Sequence, residues 1–288
     1  MSPAQTHHFV TLESVGKTHY IAAGEGQPLV LLHGLGASVV AWRRNIPALT
    51  ERYAVYAPDL PGHGESAKPD IKYSLETGTR FTLEFITALR LERVVLVGNS
   101  LGGLLALATA LRNPDRVQAL VLVDAAGLGR ELAWPLRLAT LPGIGSILAA
   151  ADVRSGTRFM RRVFHRPERI EPDVYEELLR VRKLPGVRRA VLRALREGVT
   201  LLGLRSSRVL HRHLVSLPVP TLVVWGQEDR ILPAEHARRI ARQAPNVCVR
   251  ILPDCGHWPQ MEMDREFNQT VMGFLENTAV GEKGTKSL

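Results

Sequence analysis

The chain has 288 residues, of which 45% are hydrophobic and 23% charged, and it carries a formal net charge of +9. This length allows one large domain or two modest domains, and the composition excludes a disordered chain. The two cysteines are too few for a disulfide framework, and the first residues lack the basic and apolar stretches of a signal peptide. We therefore expect a cytoplasmic protein with reduced thiols.

The excess positive charge lies in residues 130–215, which hold 18 Lys and Arg residues against 8 Asp and Glu residues. An anionic substrate, a membrane surface or nucleic acid would each explain such a segment. Arg outnumbers Lys by 31 to 6 in the whole chain, which favours compositional bias and solvated helix faces. Zinc-finger spacing and RNA-binding aromatic motifs are absent, so no nucleic-acid partner is predicted.

The predicted elements begin with two short β-rich segments, at residues 8–12 and 19–22. Continuous apolar runs then indicate strands buried on both faces of a sheet, and these span residues 28–32, 53–57, 94–97 and 117–123. Helices are expected between the strands, over residues 38–49, 74–90 and 104–111.

The alternation stops near Gly127, and residues 130–215 show a helical, Arg-rich pattern without buried strands. It then resumes with a strand at 221–225, a helix at 234–243, a strand at 248–252 and a last helix at 262–276.

Strands that alternate with helices indicate parallel βαβ units with helices on both faces of the sheet. We predict an α/β fold with a mostly parallel eight-stranded sheet, whose core domain comprises residues 1–129 and 216–288. Residues 130–215 are predicted to form a helical cap domain over the sheet edge that carries the site in open α/β sheets. The uncharged run at 94–111 contains glycines in its middle, so a strand, a turn and a helix explain it better than a membrane span.

The segment Gly98-Asn99-Ser100-Leu101-Gly102 matches G-x-S-x-G between a predicted strand and a predicted helix, which is the context that this motif requires. A sharp strand-to-helix turn holds Ser100 in a strained conformation and directs its hydroxyl over the sheet edge. Ser100 is therefore the predicted nucleophile, and it needs a base because a serine hydroxyl is weakly nucleophilic by itself.

His257 is the predicted base, since it is the only histidine in the loop after the last predicted strand. His33 and His63 lie in loops at the same edge of the sheet and are the alternatives. A third group must orient the imidazole and stabilise its charged form. Asp229, which follows the strand at 221–225, is the predicted acid.

Two other acids compete with Asp229. Asp124 ends the strand at 117–123, and Glu228 precedes Asp229 directly. The chain order Ser100, Asp229, His257 is the one expected for this architecture. A tetrahedral intermediate also needs two N–H donors, and we predict those of Leu101 and Leu35.

Together these residues resemble the α/β-hydrolase superfamily over nearly the whole chain. The resemblance depends on the Ser100 motif, the Asp229 segment and three further runs, namely Leu32-His33-Gly34-Leu35-Gly36, Asp59-Leu60-Pro61-Gly62-His63-Gly64-Glu65-Ser66 and Gly256-His257. It implies the α/β-hydrolase fold and a Ser-His-Asp mechanism, but it says little about the substrate.

Within the superfamily, three segments resemble the meta-cleavage-product hydrolases, which split carbon–carbon bonds in dienol acids. They are Gly98-Asn99-Ser100, Cys255-Gly256-His257-Trp258-Pro259-Gln260 with Glu266-Phe267-Asn268, and Glu176-Glu177-Leu178-Leu179-Arg180-Val181-Arg182. The resemblance implies that Asn99 and Trp258 shape the acid end of the site and that Arg182 binds a substrate carboxylate. Gly34 is also an expected substrate contact.

The chain departs from that family at two places. Leu35-Gly36-Ala37-Ser38 stands where the family has a Ser-Gly-Pro-Gly type run, and Lys183 stands where it tends to have Trp. Both departures favour an apolar pocket, as do Leu35 and Leu101. We further expect Leu138, with Leu136 and Leu141, to line an acyl pocket, the alternative being that these leucines only pack the cap on the core.

The sequence therefore favours a carboxylesterase that cleaves small to medium acyl esters. A carbon–carbon hydrolase of dienol acids is the first alternative, and a non-enzymatic small-molecule receptor or accessory protein is the second. Thioester, amide and perhydrolase chemistry also stay open. No cofactor and no metal are predicted, because the histidines show no zinc spacing and no phosphate-binding glycine loop is present. The expected partner is a small ester or dienol acid, and a homodimer is left open.

Overall fold

The computed structural model describes residues 6–148 and 161–284. Ten strands form in these residues: β1 (Thr6–Leu12), β2 (Gly16–Ala23), β3 (Gln27–Leu32), β4 (Tyr53–Pro58), β5 (Val94–Asn99), β6 (Val117–Val123), β7 (Val199–Thr200), β8 (Gly203–Leu204), β9 (Thr221–Gly226) and β10 (Val247–Leu252). The helices are α1 (Ile46–Leu49), α2 (Leu75–Ala88), α3 (Leu101–Arg112), α4 (Trp134–Leu138), α5 (Pro172–Lys183), α6 (Val187–Gly198), α7 (Glu235–Gln243), α8 (Pro259–Glu262) and α9 (Asp264–Gly284).

Eight strands form one sheet in the order β1-β2-β4-β3-β5-β6-β9-β10, and only β2 runs against the others. This confirms the predicted mostly parallel eight-stranded α/β fold. The inner strands β5 and β9 are buried along their whole length, as their continuous apolar runs predict. The outermost strands β1 and β10 carry exposed residues.

Alternate residues of each inner strand enter two separate cores, because successive side chains point to opposite faces of a sheet. Leu96 and Leu122 pack in one core with residues of α2, α3 and α7. Val97 and Val121 pack in the other core with residues of α1 and α9. Helices therefore cover both faces, and the carboxyl ends of the parallel strands meet at one edge.

Two predictions of local structure were wrong. Residues 38–49 do not form one helix but a 3-10 turn at Val39–Trp42 followed by the four-residue helix α1, because Pro47 at the start of α1 cannot donate a helical hydrogen bond. Residues 130–215 do contain buried strand residues, in the short antiparallel pair β7–β8. Its turn includes Gly203 at φ +104°, a conformation that favours glycine.

The inserted segment (residues 130–215) joins the core through ion pairs that use part of its positive charge. Arg180 lies 2.8 Å from Glu65, and Arg166 lies 2.8 Å from Asp254. Arg193 also pairs with Asp70. A search of the described helices finds none that is both long enough and apolar enough to cross a membrane.

Candidate active site

Ser100 lies on the turn between β5 and α3, with φ 54° and ψ −115°. Glycines make this turn sterically feasible: a Cβ on Gly98 would lie 2.3 Å from the Gly102 carbonyl oxygen, and one on Gly102 would lie 2.1 Å from that of Leu32. The Ser100 N–H donates to the Val123 carbonyl at 2.9 Å, which fixes the turn to β6. The backbone is therefore held in a conformation that a serine rarely adopts.

Asp229 and His257 form a hydrogen-bonded pair beside this turn. The Nδ1–H of His257 donates to Asp229 Oδ2 at 2.7 Å, and the backbone N–H groups of Ile231 and Leu232 donate to Asp229 Oδ1 at 2.7 and 3.1 Å. With Nδ1 engaged, Nε2 is the ring atom left for proton transfer. Ser100 and His257 line the same cavity, and no hydrogen bond joins their side chains in this structure.

The alternative bases are engaged elsewhere or lack an acid partner. His33 is fully buried, donates from Nδ1 to the Gly34 carbonyl at 2.8 Å and accepts at Nε2 from the Leu60 N–H at 2.9 Å. Burial lowers its pKa. The Nδ1–H of His63 donates to the Pro61 carbonyl at 3.0 Å, and burial and the nearby His33 lower the His63 pKa to about 3. Both rings are neutral at pH 7.

The two alternative acids also have other partners. Glu228 accepts a hydrogen bond from the Cys255 N–H at 2.9 Å. Asp124 is fully buried and accepts from the Gly226 N–H at 3.0 Å. Burial and the adjacent Asp229 carboxylate raise the pKa of Asp124 well above its ordinary value. The shift favours the neutral form of Asp124, which makes it a poorer candidate than Asp229 for stabilising an imidazolium.

The predicted oxyanion donors lie at the cavity wall. Leu101 is the first residue of α3, and Leu35 belongs to the turn after β3, which closes through the Ala37 N–H to the Gly34 carbonyl at 3.2 Å. Both leucines and Gly34 line the cavity with Ser100. A Cβ on Gly34 would lie 3.1 Å from the Ser100 Cβ, so glycine leaves space beside the hydroxyl.

The cavity encloses about 210 Å³ between the core and the inserted segment, and its lining is mainly apolar. Arg182 and Trp258 line it as predicted, and Arg182 Nη1 donates to the Gly36 carbonyl at 3.1 Å. The Trp258 indole packs edge-on against Phe164 at 5.6 Å.

Three residues expected at the substrate, Leu138, Leu141 and Asn99, do not line this cavity. The Leu138 side chain is 40% exposed to solvent, whereas Leu136, two residues earlier on α4, does line it. Asn99 is fully buried beneath the turn, where its amide donates to the carbonyls of Val123 and His257, each at 3.2 Å. Leu138 was misplaced because the orientation of α4 depends on packing within the inserted segment. The Asn99 amide joins the turn after β5 to the loop that carries His257.

Sequence reasoning missed Arg208 and Arg162, which line the cavity, and it did not count His63 among the lining residues. No local pattern distinguishes either arginine from the many others of the inserted segment. The DLPGHG run pointed to His63, but only as an alternative base.

Cys255 is an unsuitable nucleophile, because burial raises its thiol pKa. Donor atoms of Asp124, Asp229 and His257 lie within 4.8 Å of one another, a spacing that suits a metal ion. Oδ1 of Asp229 already accepts hydrogen bonds from two N–H groups, and Oδ2 accepts one from the imidazole. These hydrogen bonds explain the arrangement of Asp229 and His257 as an acid–base pair, and a metal ion is not needed to explain it.

Comparison with known proteins adds a family and several relatives. The sequence profile of the alpha/beta hydrolase fold matches residues 27–264. The chain is 35% identical over 254 residues to a Pseudomonas putida dihydrolipoyllysine-residue acetyltransferase component of an acetoin cleaving system, covering 87% of this chain and 64% of that longer protein. It is 31% identical over 284 residues to a 2-hydroxy-6-oxo-6-(2'-aminophenyl)hexa-2,4-dienoic acid hydrolase of Metapseudomonas resinovorans, covering 96% and 93%. Among solved structures, a bacterial membrane phospholipase A superposes with a TM-score of 0.80 at 27% identity, covering 96% of this chain and 87% of that one.

Proposed function

The chain belongs to the alpha/beta hydrolase family, and from that premise we propose that it is a serine hydrolase of carboxylic esters with small to medium acyl groups. The observation that carries the proposal is one cavity that holds Ser100 on its strained turn together with His257, whose ring is oriented by Asp229 at 2.7 Å. The apolar lining favours an acyl chain over a strongly polar substrate.

In the proposed reaction, Ser100 Oγ attacks the ester carbonyl while His257 Nε2 takes the hydroxyl proton. The N–H groups of Leu35 and Leu101 stabilise the oxyanion, for which one donor typically contributes about 2.7–4 kcal/mol. His257 then protonates the leaving alcohol, and water activated by the same ring cleaves the acyl-enzyme. Asp229 stabilises the imidazolium that forms in both steps.

A carbon–carbon hydrolase of dienol acids is the second candidate, and the position of Arg182 favours it. Its guanidinium lies against the turn that carries Leu35, since a Cβ on Gly36 would come within 2.8 Å of Arg182 Nη1. A carboxylate beside that turn would meet a planar fork of donors. The 31% identity to a dienoic acid hydrolase over 96% of the chain supports the same candidate.

The first test is turnover of p-nitrophenyl esters from acetate to palmitate by the wild type and by Ser100→Ala. We expect turnover of short and medium esters, and a loss on the order of 10⁶-fold in kcat for the variant. Ser74→Ala is the matched control, because Ser74 also lines the cavity but caps α2 through the Thr77 N–H.

The same preparation, given a 2-hydroxy-6-oxohexa-2,4-dienoic acid, decides between the candidates. Faster consumption of the dienol acid than of any ester would replace the esterase proposal with the carbon–carbon hydrolase. Tight ligand binding without turnover of either substrate class would favour a receptor on this fold.

We further propose that residues 130–215 act as the cap of the site, since Leu136, Arg182 and Arg208 of this segment line the cavity opposite Ser100. A cytoplasmic location remains part of the proposal, and two unpaired cysteines support it.

A further inference from the structure

Arg208 is a buried cation with an unusual lack of partners. It ends the 3-10 turn Ser206–Arg208, where the inserted segment returns to the core, and it is only 8% exposed. Within the described residues, its guanidinium makes no hydrogen bond and no ion pair, whereas Arg166, Arg180 and Arg193 of the same segment each pair with a carboxylate. Arg208 nevertheless lines the cavity that holds Ser100.

An unpartnered guanidinium in such a place is costly. Burial lowers the Arg208 pKa, although the carboxylate of Glu197 acts in the opposite direction. The Glu197 carboxylate itself forms an ion pair with Lys72, with Oε2 3.8 Å from Nζ. Because arginine stays protonated in proteins, its buried charge and its donors call for an anion, and a carboxylate matches the planar fork of donors.

The position of Arg208 relative to Ser100 indicates which part of a ligand carries the anion. Gly127 joins the two regions, since a Cβ on it would lie 2.7 Å from Leu104 Cδ1 and 2.9 Å from the Arg208 carbonyl oxygen. Leu104 lies one turn of α3 beyond Ser100, about 6 Å along the helix. The wall that begins at Ser100 thus continues past Leu101 and Leu104 towards Arg208.

Arg182 approaches the cavity from a different side, against the oxyanion turn at Gly36. Leu101, Leu104 and Arg208 thus line the same cavity as Ser100, so an acyl chain attached to Ser100 shares that cavity with apolar walls and with a cation other than Arg182.

We propose that Arg208 binds a carboxylate at the end of the acyl chain, so that the protein prefers acyl groups derived from dicarboxylic acids over neutral acyl groups of the same length. This inference rests on the proposed function only in taking the ligand to be an acyl substrate of Ser100. It gives the unpaired guanidinium a partner and names a substrate class that apolar lining alone does not indicate.

The test compares two esters with the same six-carbon acyl chain, p-nitrophenyl hexanoate and mono-p-nitrophenyl adipate. The wild type is expected to have the higher kcat/KM for the adipate ester. Arg208→Met is expected to lower that value by about 10- to 100-fold, as for loss of a hydrogen-bonded charge, while the hexanoate value changes less than about threefold. Arg205→Met is the matched control, because Arg205 is the exposed arginine of the same turn. Equal preference for the two esters in the wild type, or equal losses on both in Arg208→Met, would overturn the proposal.

Binding to Ser100→Ala separates this inference from the proposed function, because it needs no turnover. Calorimetry is expected to give tighter binding of the adipate ester than of the hexanoate ester, and to lose that difference when Arg208→Met is added. If no ester is hydrolysed but this pattern holds, the esterase proposal fails and the Arg208 site stands. If circular dichroism shows that Arg208→Met is unfolded, Arg208→Lys decides: a change of less than twofold in the ester preference would overturn the fork-like contact.

Discussion

Two carboxyl groups, Asp124 and Asp229, follow neighbouring strands at the same edge of the sheet and lie in different surroundings. Asp229 accepts hydrogen bonds from two backbone N–H groups and from the imidazole of His257. Asp124 is fully buried at φ 41° and accepts a hydrogen bond from the Gly226 N–H. Burial and the charge of Asp229 raise the pKa of Asp124 well above its ordinary value, which favours the neutral form of Asp124.

This difference in surroundings predicts unequal effects of matched amide substitutions. Asp229→Asn is expected to lower kcat by about 10⁴-fold, because an amide cannot stabilise the imidazolium and favours the wrong tautomer. Asp124→Asn is expected to retain most of the activity, because asparagine imitates the neutral carboxyl that the raised pKa of Asp124 favours. Glu228→Gln is the control for a nearby acid that faces the Cys255 N–H instead of His257. Ester kinetics measure all three, and a loss in Asp124→Asn as large as that in Asp229→Asn would contradict the assignment of charge.

The positions of the candidate triad follow from the sequence because each residue lies in the turn or loop after a strand, and parallel strands bring their carboxyl ends to one edge. Asp124 and Asp229 could not be separated in this way, since both follow strands of that edge. Their difference depends on a backbone contact between β6 and β9, in which the Asp124 N–H donates to the Val224 carbonyl at 3.0 Å. Such register details become visible only in three dimensions.

At the scale of elements, the inserted segment braces the loop that carries His257. The His257 N–H donates to the Val163 carbonyl at 2.7 Å. The buried carboxylate of Glu262 on α8 accepts from the N–H groups of Gly256, at 2.8 Å, and of His165, at 3.1 Å, and also from that of Arg166. One side chain thus ties the candidate base, the inserted segment and α8 together. The sequence gives no sign of this contact, because the residues lie about 100 positions apart.

Glu262→Gln is expected to destabilise the protein by about 1–3 kcal/mol, because an amide has one acceptor oxygen for three N–H groups and leaves a buried donor unsatisfied. Glu266→Gln is the control, since the Glu266 side chain is 39% exposed and lies 3.9 Å from that of Arg250. Urea denaturation measures the free energy of unfolding of both variants. Equal stability of the two would show that Glu262 contributes no more than a surface carboxylate.

At the scale of the whole molecule, the sheet was predictable because buried parallel strands read as continuous apolar runs bounded by turns. The cavity was not, because its walls come from α3, the oxyanion turn and the inserted segment together. Arg208 and His63 line it through packing between distant segments, which leaves no periodic pattern in the sequence. The same packing buries several histidines, and their burial makes the stability of the fold depend on pH.

Among these histidines, His63 has the lowered pKa from which a pH range for the change in stability can be given. Burial, followed by the nearby His33, lowers its pKa from 6.5 to about 3. A lowered pKa means that the unfolded chain binds this proton first, so the stabilisation is complete above pH 6.5 and is lost as the pH falls towards 3. Between pH 7 and pH 5 the loss from His63 amounts to about 2 kcal/mol. Asp124, whose pKa is raised, contributes in the opposite direction, so the wild-type slope alone does not isolate His63.

The comparison with His63→Asn isolates it, because every other titrating group is common to both proteins and the amide can still donate to the Pro61 carbonyl. Urea denaturation of both proteins at pH 7 and pH 5 gives two differences in the free energy of unfolding. We expect the wild type to lose about 2 kcal/mol more than the variant over this range, since only its unfolded state gains a proton at position 63. If the two proteins lose the same free energy, His63 accepts a proton in the folded state, and its Nε2 then faces water or an acid instead of an apolar cavity wall.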